Sequence, residues 1–156
     1  MPEVDTAPQV WLLGSSDYSG ALAAHLGLRF AFAHFINGRG GDVVMQDYKA
    51  KFRPSPRETS PAAILCVFVI CAESDEEAER LAASIDLRRL HMATGVDAPV
   101  PTLVEAFAHR YTERERHYVM SQRERVVLGS PATVKAKLEA LAGQYAADEL
   151  LVLTIT

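Results

Sequence analysis

Cysteine is scarce in this 156-residue chain, which has only two, Cys66 and Cys71. They stand five apart in one apolar run, where odd spacing turns them to opposite faces of a strand and rules out a disulfide between them. Both are expected to be reduced, buried packing residues. Long apolar runs are lacking as well: the longest, Ala62 to Ala72, is about half of the ~20 residues that a membrane-spanning helix needs. Its β-branched and aromatic content suits a buried strand instead, and no membrane span is expected. Nor is there an excess of positive charge. Sixteen Lys and Arg against 20 Asp and Glu leave a formal net charge of −4, so no extended positive field exists to gather phosphodiester backbones, and a nucleic-acid partner is disfavoured. Met1 is followed by Pro2, Glu3 and Asp5, with neither the basic start nor the apolar core of an export signal, so the cytoplasm is the expected location.

What is present is apolar content, at 49%, enough for one domain with its own core, and a single domain over residues 1–156 is expected. Gln9 to Leu13 is short and apolar, Gly14-Ser15-Ser16 follows, and Ala21, Leu22, Ala24, His25 and Leu26 then recur at helical spacing. That is a strand, a tight loop and a helix, ended by Gly27. Phe30 to Ile36 has strand composition. After the turn Asn37-Gly38-Arg39-Gly40-Gly41, Val44, Tyr48 and Phe52 repeat every four residues on one helical face, which Pro54 and Pro56 end. Ala63 to Ile70 is apolar on both faces, and Ser74 to Glu77 has capping-box spacing ahead of a helix through Leu81 and Ile85. Between His91 and Arg125 the pattern weakens to a short helix near Thr102 to His109 and a charged stretch. Ser130-Pro131 opens a last helix with Val134, Leu138 and Leu141 as its buried stripe, before a strand from Leu150 to Ile155. Four predicted strands alternating with helices force parallel pairing, so the fold class is α/β.

The run Val10-Trp11-Leu12-Leu13-Gly14-Ser15-Ser16-Asp17-Tyr18-Ser19, followed by Ala21 to Leu28, resembles the fifth strand and following helix of luciferase-like flavin-dependent monooxygenases. Phe30 to Phe35 resembles that family's sixth strand, and Val69 to Ala72 with Asp75 to Ala78 its seventh strand and helix. Val127 to Val134 and Ala147 to Ile155 resemble its closing helix and eighth strand. The likeness implies the C-terminal half of a TIM (β/α)8 barrel: four β/α units, strands five to eight. Family members are about twice as long, and the first four strands, with the histidine generally associated with catalysis, have no counterpart here. Four strands would leave exposed edges, at the strands containing Trp11 and Val152, and so favour a homo-oligomer.

The resemblance implies a monooxygenase that uses reduced FMN, supplied by a separate flavin reductase, and dioxygen on a small organic substrate. Two alternatives stand beside it: a non-catalytic flavin-binding or subunit-type relative, and an inert truncated fragment that self-associates. The loop Gly14 to Ser19 lies where a strand ends and a helix begins, so unpaired N–H groups and the helix dipole favour an anion there. Hydroxyls of Ser15, Ser16 and Ser19 add donors. The competing reading of Ser16 or Asp17 is a plain helix cap. The family places the FMN phosphate here, which makes Gly14, Ser15, Ser16, Tyr18 and Ser19 the cofactor-binding candidates. His34 near a strand end and Arg39 in a glycine-rich turn are substrate-binding candidates, against the commoner roles of packing histidine and surface turn. His25 reads as helix-to-sheet packing, and His91, His109 and His117 as solvated. No metal site is expected, and no catalytic acid or base can be named. Glu113 to Arg116 and Arg123-Glu124-Arg125 mix signs as an exposed helix does.

Overall fold

The computed structural model describes residues 8–154, so Ile155 of the expected last strand and the residues before Pro8 lie outside it. The described residues form five parallel strands and six helices: β1 (Trp11–Gly14), α1 (Asp17–Leu26), β2 (Arg29–Ala33), α2 (Gly41–Lys51), β3 (Ala63–Cys71), α3 (Asp75–Thr94), α4 (Leu103–Ala108), α5 (Glu113–Arg123), β4 (Val126–Gly129), α6 (Pro131–Gln144) and β5 (Glu149–Thr154). The α/β class with a parallel sheet is as the periodicity predicts.

Strand β3 organises the sheet. Ile64, Leu65 and Cys66 pair with β2 (Ala31 to Ala33) and with β5 (Glu149 to Leu151), so β2 and β5 occupy its two edges. Phe68 and Val69 pair with both β4 and β5, which puts β4 on the β2 side, beyond the end of β2. The main order is therefore β1-β2-β3-β5, with β4 extending the β2 edge toward the C-terminal ends of the strands. Among the described residues β1 pairs only with β2, and β5 only with β3.

Alternation along the strands sorts the side chains. Leu12, Phe30, Phe32, Ala63, Leu65, Val67, Val69, Val127 and Leu150 share one face and pack against α1, α2 and α6 through Ala23, Ala24, Met45, Tyr48 and Val134. Leu138 and Leu141 join that core as the stripe on α6 predicts. Ile70 and Leu128 point the other way, onto Ala78 and Ala82 of α3. One long helix thus crosses the opposite face at the C-terminal end, and Leu13 and Leu151, on that same face nearer the strand starts, are 59% and 46% exposed.

Local caps explain the breaks. Gly27 ends α1 at φ 59°, and a Cβ there would stand 2.4 Å from the Arg53 carbonyl oxygen, so only glycine fits. Ser74, Thr102, Thr112 and Ser130 each accept the N–H three residues on and begin α3, α4, α5 and α6.

Four expectations need correction. A strand, β4, does precede Ser130; it is only four residues long and hidden between charged residues and a cap. His25 is exposed, because Ala23 and Ala24 hold the buried side of α1 and His25 turns off it. Cys71 is exposed at the end of β3, whereas Cys66 is buried and burial raises its thiol pKa. His91 and His109 are half-buried rather than solvated, and only His117 of the three is exposed.

Candidate functional site

The C-terminal ends of β1 and β2 carry the candidate residues. Gly14 closes β1, and a Cβ there would fall 2.3 Å from both Cβ and Oγ of Ser19, so the strand-to-helix turn requires glycine. Ser16, in extended conformation, caps α1: its Oγ accepts the Ser19 N–H at 3.2 Å, and Ser19 Oγ accepts the Ser16 N–H at 3.1 Å. The Ser19 hydroxyl donates to the Ser16 carbonyl at 2.7 Å, and the Tyr18 N–H donates to Asp17 Oδ1 at 2.8 Å. Ser16, Asp17 and Tyr18 are exposed, Tyr18 by 73%.

Without an anion the turn satisfies its own donors, as a helix cap does. The same atoms suit a phosphate: the hydroxyls of Ser16 and Ser19 stand at the positive end of the α1 dipole in a turn exposed at Ser16 to Tyr18. Asp17 is the one negative charge in the turn; it is exposed, and its carboxylate takes up the Tyr18 N–H.

The turn is tied to the next one. Asn37 Nδ2 donates to the Ser15 carbonyl at 3.4 Å. Arg39 donates from Nε and Nη2 to the Glu124 carboxylate at 2.9 and 3.0 Å, which lowers the Glu124 pKa through those hydrogen bonds. Arg39, exposed, is thus paired here with the residue that caps the C-terminus of α5. Asn37, Gly38 and Arg39 with Ser121, Glu124 and Arg125 line a cavity of about 190 Å³. Sequence patterning had read Arg123 to Arg125 as an exposed charged stretch. Only β4's placement along the β2 edge brings Arg125 to this turn, and nothing in the local spacing signals it.

His34 needs correction. It follows β2 on the helix-covered face, 4% exposed, with its ring edge-on to Tyr145 at 5.6 Å. Tyr145 in turn donates its hydroxyl to the Gly38 carbonyl at 2.9 Å. Burial holds the His34 pKa below its ordinary value, and Nδ1 has no partner. This is a neutral, enclosed packing histidine, not one presented to a substrate.

Ser130 at the start of α6 has another tenant. Asp75 Oδ1 accepts the Ser130 N–H at 2.6 Å and Asp75 Oδ2 accepts the Thr133 hydroxyl at 3.0 Å, so a carboxylate of the chain itself fills that anion position. Among the described residues no group of three or more His, Cys, Asp or Glu is placed to hold a metal, and no helix is long and apolar enough to cross a membrane.

No family profile matches the chain. Among individual proteins, it is 44% identical over 152 residues to the uncharacterized protein YceB of Bacillus subtilis strain 168, covering 97% of this chain and 46% of that one. It is 34% identical over 147 residues to a luciferase-like monooxygenase of Escherichia coli strain K12, covering 92% of this chain and 43% of the relative. Among solved structures, apo-MsnO8 superposes with a TM-score of 0.88 at 35% identity, over 99% of this chain and 47% of that chain. The oxygenating constituent of the 3,6-diketocamphane monooxygenase of Pseudomonas putida, solved with FMN, shares the fold at a TM-score of 0.51 and 18% identity, over 94% of this chain and 42% of its own. The chain spans less than half the length of the relatives it matches. It belongs to the luciferase-like monooxygenase family, as a segment equivalent to somewhat under half of a family member.

Proposed function

We propose that this chain is the FMN-phosphate-binding half of a (β/α)8-barrel monooxygenase, corresponding to strands five to eight. β1, β2, β3 and β5 take those four places, and β4 with α3 to α5 is an excursion between the last two. The carrying observation is the turn Gly14 to Ser19, which gathers the Ser16 and Ser19 hydroxyls and the N-terminus of α1 at a strand's C-terminal end, where this barrel architecture keeps its chemistry. The FMN complex of a structural neighbour supports the choice of flavin. Ser15, Ser16 and Ser19 would hold the phosphate and Tyr18 would flank the cofactor. Bound reduced flavin, delivered by a separate reductase, would activate dioxygen for transfer of one oxygen atom to a small organic substrate. The residues present here bind and orient; none stands as acid or base at the turn. The unpaired edges of β1 and β5 would be covered by a second chain, which makes the assembly an oligomer.

Fluorescence titration of FMN and riboflavin, which differ only in the phosphate, tests this. Wild type should bind FMN more tightly than riboflavin, and Ser16→Ala should weaken FMN by about tenfold while leaving riboflavin unchanged. Equal affinities for FMN and riboflavin in wild type would contradict the assignment.

A further inference from the structure

The arginines around the 190 Å³ cavity are not all neutralised. Arg123 is engaged by Asp86 and Glu79, and Arg39 by Glu124. Arg125, which lines the cavity, makes no side-chain hydrogen bond or ion pair among the described residues. Beside it Arg89, half-buried, donates to the Gln122 carbonyl at 3.0 Å and lies over the Phe68 ring at 5.9 Å. Among the described residues neither guanidinium hydrogen-bonds a carboxylate; Arg125 feels the charge of Glu124 and Arg89 that of Asp86, and Glu124, the carboxylate of the cavity wall, is hydrogen-bonded on both oxygens by Arg39.

The location is as specific as the charge. The cavity lies between the end of β2 and the entry to β4, which follow one another along the same edge of β3. Asn37 stands in its wall and, through its amide, on the Ser15 carbonyl of the phosphate turn. A Cβ on residue 38 would stand 3.1 Å from His34 Nε2 and 3.4 Å from the Glu124 carbonyl oxygen, so glycine keeps this wall uncrowded. The cavity is polar and admits a compact oxyanion, with guanidinium and amide donors from Arg125 and Asn37; the Ser121 hydroxyl in its wall is already given to the Tyr118 carbonyl at 2.6 Å.

We propose that this cavity is a subsite for the acid group, a carboxylate or sulfonate, of an organic substrate, separate from the flavin phosphate, with Arg125 as its principal ligand. The assignment to substrate rests on reading the chain as part of a monooxygenase; the binding of an oxyanion does not. Arg39 and Glu124 act together as the wall that keeps Asn37 and Gly38 in place.

The test uses the 156-residue chain and sodium sulfate as the probe, with sodium chloride balancing ionic strength, while the amide resonances of Gly38, Arg39 and Gly40 are followed by NMR. Wild type should give saturable shifts, Arg125→Gln should raise the dissociation constant by about tenfold, and Ser16→Ala should leave it unchanged. Methanesulfonate and acetate should displace sulfate, whereas FMN should not. Absence of saturable shifts in wild type, or unchanged binding in Arg125→Gln, overturns the site. Displacement by FMN but not riboflavin, with weaker sulfate binding in Ser16→Ala, overturns the substrate assignment and gives the cavity to the flavin phosphate. Loss of FMN binding with sulfate binding intact would defeat the flavin reading alone.

Discussion

Arg123 holds Asp86 through Nε, at 2.8 and 2.9 Å from the two carboxylate oxygens, and through Nη2 at 2.6 Å, and so pins α5 to α3 in a site where Asp86 is almost fully buried. Glu79 takes a further N–H of the same guanidinium at 2.9 Å. This contact fixes the excursion that carries Arg125 and β4 to the end of β2.

Removing one partner leaves the other buried and unmatched, which costs about 3–5 kcal/mol. Arg123→Met should lower the urea-unfolding free energy by that amount, and the double change Arg123→Met with Asp86→Leu should recover most of the loss. A loss of under about 1 kcal/mol in the single variant would place the pair in the weak class of surface ion pairs.

Asp75 links α3 to α6 and titrates with that role. Hydrogen bonds from the Ser130 N–H and the Thr133 hydroxyl hold its carboxyl below its ordinary value near 3.8. A depressed folded pKa adds stability that is complete above the unfolded value and fades as pH falls through the folded one. Asp75→Asn should therefore be less stable than wild type at pH 7, with the gap closing below about pH 3.8 in acid-unfolding curves. A pH-independent gap would contradict the cause.

His34 has the same sign at a higher pH. Burial lowers its pKa from the ordinary 6.5, so the unfolded chain takes up the proton first and stability drops as pH falls through 6.5 toward the folded value. His34→Phe, which keeps an aromatic edge against Tyr145, should flatten the stability loss that urea unfolding of wild type is expected to show between pH 8 and pH 5.5. An equally steep loss in the variant would place the titration elsewhere.

Among the described residues both outer strands are paired on one side alone, and Leu13, Leu151 and Val152 are exposed on them. Light scattering should find masses above that of one chain, and a lysine at position 152, Val152→Lys, should shift the population toward monomer. A monomer across dilution would contradict the edge argument.

Much of this was legible in the amino-acid order. Short apolar or aromatic runs place β1, β2, β3 and β5, and apolar residues at helical spacing the helices that cover them, because burial on one or two faces dictates those patterns. The caps at Ser16, Ser74 and Ser130 were legible because a hydroxyl three residues ahead of a free N–H has one local use. What escaped was non-local. β4 is too short for a period, and α3's crossing to the opposite face depends on Ile70 and Leu128 meeting Ala78 and Ala82 across the sheet. Arg125 reaches the candidate site by that same route. His34 was placed at the right strand end, yet the two-residue alternation that turns it toward Tyr145 depended on where β2 stops.

The phosphate assignment for the Gly14 to Ser19 turn is the centre of the account, and the phosphorus NMR resonance of FMN reports on it directly. On adding wild-type chain the resonance should shift and broaden saturably, and Ser16→Ala at the same concentration should largely abolish the effect. An unmoved resonance with wild type, or the same shift with Ser16→Ala, would contradict it.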